Sequence, residues 1–284
     1  MARCLVTGHL GYIGSKVYKE LIDQGHEVYG VDLKHNTDIR YDLFDFDKLC
    51  RNVPFVPEYI FHLAAMPSVQ WCVENPSEAM SHNVLGSSRV LEYAKINNVK
   101  RVIFASSAAA LNPISPYGLH KLYTEGECKL YARLYGVDTV CLRFFNVYSE
   151  DQEANGPYST VISAWLNGIK NDSNLFIDGD GKQTRDFIHV DDIVSANIFC
   201  MNYKKQFGGN NFDVATGFSH PLNYIKDLFS KRFDIDWIHR VARVGDIKFS
   251  SSDSAALRRL GWSASIKIEE GLERCFNNLE NLDE

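Results

Sequence analysis

Tyr117 and Lys121 stand four residues apart in Tyr117-Gly-Leu-His-Lys121. On a helix that spacing puts both side chains on one face. A free phenol has a pKa of about 10 and is a poor base near neutrality. An ammonium beside it, together with a positively charged nicotinamide, favours the phenolate. A phenolate can take the proton of a carbinol while hydride leaves for the nicotinamide. Ser107 closes the preceding apolar run and is placed to hydrogen-bond the same oxygen. A tyrosine and lysine so spaced usually mean nothing on an amphipathic helix, so the expectation rests on their company.

That company is a glycine loop. Gly8-His9-Leu10-Gly11-Tyr12-Ile13-Gly14 follows a short apolar run directly, and a helical pattern follows it. Glycines allow a tight turn and close approach of backbone to a pyrophosphate, and the helix N-terminus offers it unpaired N–H groups. Asp32 ends the next apolar run, where a carboxylate accepts from adenosine ribose hydroxyls. A carboxylate there repels a 2′-phosphate and favours NAD over NADP.

The elements that must hold these groups can be read from the pattern. Strands are expected at Arg3 to Thr7, Glu27 to Asp32, 58–65, 99–107 and 138–147. Helices are expected at Ile13 to Gln24, capped by Gly25, and at 77–97 and 117–135. This alternation predicts βαβ units and a parallel sheet covered on both faces. Beyond about residue 150 the regularity loosens. Helical patterns near 191–203, 221–233 and 268–282 then point to a smaller lobe, with pieces returned to the sheet.

Composition narrows the function. With 45% apolar and 23% charged residues the chain reads as a soluble globular protein. A net charge of −6 without a basic stripe argues against nucleic acid and anionic membranes as partners. No apolar run reaches the ~20 residues of a membrane span, and no signal-peptide pattern opens the chain. The seven cysteines, Cys4, Cys50, Cys72, Cys128, Cys141, Cys200 and Cys275, are scattered without a CxxC. Reduced thiols in a cytoplasmic protein, without a metal site, are expected.

Taken together, these motifs resemble the extended short-chain dehydrogenase/reductases, the NAD-dependent epimerase/dehydratase family. The resemblance runs nearly end to end: TGHLGYIG at 7–14, DLFD at 42–45, HLAA at 62–65, HNVLGS at 82–87, FASSAAA at 104–110, SPYGLHK at 115–121, RFFNVYS at 143–149, GDGKQTRDFIHVDD at 179–192, RVGDIKFSSSD at 243–253 and LGW at 260–262. It implies a Rossmann-type doubly wound α/β sheet with a smaller C-terminal substrate-binding lobe. Residues 1–150 with about 186–216 would form the NAD domain; 151–185 and 217–284 would form the sugar-nucleotide lobe.

The resemblance also implies roles. Gly8, Gly11 and Gly14 would hold the pyrophosphate, with Tyr12 and Ile13 alongside. Asp32 would bind ribose and Asp42-Leu43 the adenine. Leu63, Ala64 and Asn83 would line the cofactor, and Phe145 would lie at the nicotinamide. Ser107, Tyr117 and Lys121 would be catalytic. Asn146 would contact the sugar nucleotide, Arg185 and Arg243 its diphosphate, and Asp246 the nucleotide pocket. Ser250, seven residues after Arg243, would line the sugar pocket and leave room for an acetamido group.

Two departures stand out. Only nine residues separate Ser107 from Tyr117, where relatives carry a longer loop. Ala108 and Ala109 follow Ser107, where 4,6-dehydratases carry an Asp-Glu pair. The expected activity is C4 epimerisation of a nucleotide-diphosphate sugar. The alternatives are a 4-keto-sugar reductase and, from another class, a cofactor-sensing protein. The resemblance also implies a homodimer, through helices that map to about 77–97 and 117–135.

Overall fold

The structure is a computed structural model that describes residues 1–33, 53–153, 159–242, 248–252 and 254–281. Asp42, Leu43, Arg243 and Asp246 lie outside the described residues, as does Cys50.

Strand β1 (Arg3–Thr7) is buried along Cys4 to Thr7, as a central parallel strand requires. It pairs in parallel with β2 (Glu27–Val31) on one side and β3 (Tyr59–His62) on the other. Strand β4 (Arg101–Ser107) follows β3, and β5 (Thr139–Phe144) follows β4, both parallel. The sheet is completed by β9 (Asn210–Val214), in the order β2-β1-β3-β4-β5-β9. The chain therefore leaves β1 for one neighbour and later returns to its other side. In open α/β sheets such a switch point, at the carboxyl ends of the strands, is where ligands bind. Here those ends are the glycine loop after β1 and Leu63-Ala64 after β3.

Helix α1 (Tyr12–Asp23) links β1 to β2, and Gly25 ends it with φ +77°. The expected 77–97 helix divides into α3 (Pro76–Met80), a π turn over Ser81–Leu85 and α4 (Gly86–Ile96), after a short α2 (Val69–Glu74). In the π turn the Asn83 carbonyl accepts from Ser87 Oγ at 2.7 Å, and Thr124 Oγ1, which donates to the His120 carbonyl at 3.0 Å, lies 3.4 Å from it. Helix α5 (Pro116–Tyr135) crosses from β4 to β5.

The expected 138–147 strand stops at Phe144. Residues Asn146–Tyr148 form β6 in a separate three-stranded sheet, parallel to β8 (Thr184–His189), which pairs antiparallel with β10 (Ser219–Pro221). A two-stranded sheet pairs β7 (Leu175–Asp178) with β11 (Trp237–Arg240).

Two compact units result. One is Met1–Phe144 with Ile193–Asp213, and the other is Phe145–Asp192 with Val214–Glu284. The first has its core around Leu5, Ile60, Leu91, Phe104 and Cys141. A buried brace ties its last segment in. Arg101 pairs with Asp138 at 2.6 Å and donates to the carbonyls of Tyr203 and Lys205, while Asp138 accepts from the N–H of Phe207 and Gly208. The core of the second is aromatic, built on Tyr148, Trp165, Phe229 and Phe276. The six described cysteines are free and buried. Among the described residues no helix is long and apolar enough to cross a membrane.

Candidate active site

The glycine loop is shaped by contacts that exclude a side chain. Gly8 has φ +74°, which L residues with a Cβ rarely adopt. A Cβ there would lie 2.7 Å from the Ala64 nitrogen, so the end of β1 is pressed against the end of β3. At Gly14 a Cβ would come within 2.0 Å of the Gly8 carbonyl oxygen, so the first turn of α1 sits directly on the loop. Gly11 is the N-cap of α1 and supplies no side-chain acceptor. The start of a helix without a side-chain cap carries the positive end of its dipole, which suits an anion. Asp32 braces the loop from β2, its Oδ2 accepting from the Leu10 N–H at 2.9 Å. Close backbone, an uncapped helix start and a carboxylate at the second strand fit a pyrophosphate-linked dinucleotide.

The Tyr117 helix begins at a defined point. Ser115 caps it by accepting from the Gly118 N–H, and Pro116 stands at its first position. The nine-residue connection from Ser107 closes through a 3₁₀ turn at Ala108–Ala110, which Ser107 Oγ caps by accepting from the Ala109 N–H at 3.2 Å. A Cβ at Gly118 would come within 2.6 Å of the Ala109 oxygen. Glycine there lets the turn rest on the helix.

Lys121 is only 4% exposed. Its ammonium donates to the Ala105 carbonyl at 2.6 Å and lies 5.7 Å from the Tyr117 ring centroid and 4.8 Å from that of Phe104. Burial lowers its pKa to about 8, with the nearby Cys141 thiol and Glu125 working against the shift. The ammonium thus acts beneath the phenol ring through a poorly screening medium.

Asn83 is buried, and its amide clamps the Met66 backbone in both directions, at 2.7 and 3.0 Å. Leu63 is buried behind Ala64.

The second unit holds the remaining described candidates. Phe145 is buried and its N–H donates to the Val214 carbonyl. Asn146 Nδ2 donates to the Asp186 carbonyl at 2.9 Å, joining β6 to β8. Arg185 is half-buried on β8, opposite His220 of β10. Ser250 comes to the same strand, its N–H donating to the Thr184 carbonyl at 3.2 Å. Arg185 and Ser250, distant in sequence, therefore flank one strand residue.

The acids of the RDFIHVDD motif are structural posts that sequence reading left unassigned. Asp186 accepts from Thr216 and from the Gly217 N–H, and burial raises its pKa. Asp192 accepts from Ser265 and from the Ile266 N–H.

His62 was also unassigned, although HLAA was visible as a motif. Its Nδ1 is 2.7 Å from Thr7 Oγ1 and its Nε2 2.9 Å from Ser87 Oγ. Burial, then the positive charge of Lys121, hold its pKa down to about 3. Above pH ~6.5 the imidazole is neutral folded or unfolded. Between pH ~6.5 and 3 the unfolded chain binds a proton that the folded one refuses, so stability falls as pH falls, by up to about 1.4 kcal/mol per unit. Urea midpoints taken between pH 7 and 5 should drop more steeply for wild type than for His62→Gln. Equal slopes would show that His62 titrates normally in the fold.

The NAD-dependent epimerase/dehydratase family model matches residues 4–215. A putative UDP-glucose 4-epimerase of Methanocaldococcus jannaschii is 32% identical, over 98% of each chain. The UDP-glucose 4-epimerase of Thermotoga maritima, solved with UDP-glucose, superposes with a TM-score of 0.92 at 30% identity, covering 99% of this chain and all of that one. The UDP-N-acetylglucosamine 4-epimerase of Methanobrevibacter ruminantium, solved with UDP-N-acetylmuramic acid, gives 0.89 at 32% identity over 99% of both. With the glycine loop at the switch point and the tyrosine–lysine helix beside it, these likenesses make the chain a member of the NAD-dependent epimerase/dehydratase family.

Proposed function

We propose that the chain interconverts the C4 epimers of a nucleotide-diphosphate sugar, with Tyr117 as the acid–base group. The observation that carries this is Lys121, buried one helical turn after Tyr117 with its ammonium beneath the phenol ring. Gly8, Gly11, Tyr12, Ile13 and Gly14 hold the pyrophosphate of NAD in this reading, Asp32 its ribose, and Leu63, Ala64, Asn83 and Phe145 its remaining length. NAD bound there would supply the hydride acceptor and donor that C4 inversion needs. Tyr117 takes the C4 hydroxyl proton as the carbonyl forms and gives it back on return. Ser107 spends an oxygen lone pair on the Ala109 N–H, which leaves its own proton to donate to the substrate oxygen. Ala108 and Ala109 present only methyl groups after Ser107, so nothing there performs the acid–base work of an elimination. The names of the relatives support 4-epimerisation over net reduction.

Arg185 and Arg243 are proposed for the diphosphate, which suits arginine's forked donors. Asn146 and Asp246 complete the nucleotide contacts. Ser250 is proposed as the wall beside the sugar C2 substituent, and the N-acetylglucosamine activity named for one relative supports that choice. A homodimer is the proposed assembly. Leu119, Leu122, Tyr123, Leu130 and Leu134 along α5, and Met80, Leu85 and Ile96 along α3–α4, are exposed apolar side chains. Such a face is favourable to cover.

Tyr117→Phe should cut turnover by ~10²–10⁴-fold while NAD remains bound; near-normal rates on the true substrate would remove the phenol from the mechanism. Ser250→Tyr should suppress turnover of 2-acetamido sugar nucleotides selectively, by roughly 1–3 kcal/mol of transition-state binding. An equal loss on unmodified hexoses would show that Ser250 is not the gate. Light scattering should give twice the chain mass of 32.3 kDa, and Leu130→Glu should shift it toward monomer. A wild-type monomer at micromolar concentration would contradict the dimer.

A further inference from the structure

A buried chain of polar groups runs through the first unit. Thr7, His62, Ser87, Asn83 and Thr124 are each at most 3% exposed. The Ala64 N–H donates to Thr7 Oγ1 at 3.3 Å. Thr7 Oγ1 meets His62 Nδ1, and His62 Nε2 meets Ser87 Oγ. Ser87 Oγ donates to the Asn83 carbonyl; Thr124 Oγ1 of α5 lies 3.4 Å from the same oxygen and donates to the His120 carbonyl at 3.0 Å.

The direction of every bond follows from counting protons. A carbonyl only accepts, so Ser87 spends its single proton on Asn83. Ser87 must then accept from His62, which places the imidazole proton on Nε2. Nδ1 is left an acceptor and takes the Thr7 proton, and the Thr7 lone pair takes the Ala64 N–H. One tautomer of one neutral imidazole satisfies the whole chain. The chain joins the end of β1, the end of β3 with Ala64 two residues beyond it, and the π turn. Ala64 is the residue whose nitrogen a Cβ on Gly8 would strike.

We propose that His62 is a positioning residue for the cofactor, fixing the Gly8 and Ala64 backbone against each other through a one-way hydrogen-bond chain. This rests on the NAD reading of the glycine loop. Glutamine can reproduce both roles of the imidazole, one oxygen accepting and one N–H donating; phenylalanine fills the space and supplies neither. Thr7→Val removes the donor at the other end.

The test is the release of NAD from the NAD-loaded protein, followed by NADH fluorescence after dilution into excess NADH, with melting recorded in parallel. His62→Phe and Thr7→Val should each speed release roughly tenfold, the size of one or two lost hydrogen bonds. The double variant should be no faster than either, because the links act as a unit. His62→Gln should stay within about twofold of wild type. If His62→Phe does not fold, Thr7→Val against His62→Gln carries the comparison. Unchanged release with a lowered melting temperature would reduce the chain to a structural cross-brace and overturn the proposal, as would multiplicative effects in the double variant. A wild-type protein that holds no NAD would overturn the cofactor reading itself, and the proposal with it.

Discussion

The site is organised by a buried ammonium. Lys121 has given up bulk water, and such a cation must find an acceptor inside the fold. It finds the Ala105 carbonyl, two residues before Ser107 on β4. That bond ties α5 to β4 one turn after Tyr117, alongside the bonds of Glu125 to Ser106 and Arg143. The rings of Phe104 and Tyr117 close over the charge. Lowering the lysine pKa to about 8 leaves most of the charge in place near neutrality. A charge kept inside the fold is felt by a neighbouring phenol far more than one in water.

Around this point the glycine positions act by exclusion. Gly8 and Gly14 let α1 begin on top of the β1 loop, and Gly118 lets the turn after Ser107 rest on α5. That last contact lies between the nine-residue connection from Ser107 to Tyr117 and the helix it leads into. Leu111 and Ile114 of that connection are exposed beside the start of the tyrosine helix. Asp186 and Asp192 perform the equivalent service in the second unit, each tying a distant loop to the β8 region through backbone N–H groups.

The alternation of strands and helices was legible because each buried strand is a short apolar run and each helix shows its own period. The glycine loop, the tyrosine–lysine pair and the acid ending β2 were legible because their spacing is chemically specific. What escaped is what depends on partners far away in the chain. The split of 138–147 into β5 and β6 follows from Asn146 bonding to Asp186, forty residues on. The π turn sets the Asn83 carbonyl against Ser87 and near Thr124 of a later helix, and no local pattern announces it. His62 looked like part of a core strand, because its role is defined by Thr7 and Ser87.

The central claim is oxidation and return of hydride at one carbon, with no net consumption of cofactor. Purified protein incubated with UDP-N-acetylglucosamine or UDP-glucose, without added cofactor, tests it directly when product configuration is followed by NMR and absorbance at 340 nm is recorded. The account predicts accumulation of the C4 epimer to equilibrium at constant absorbance. Product that forms only when reduced cofactor is supplied, with matching loss of absorbance, would contradict it.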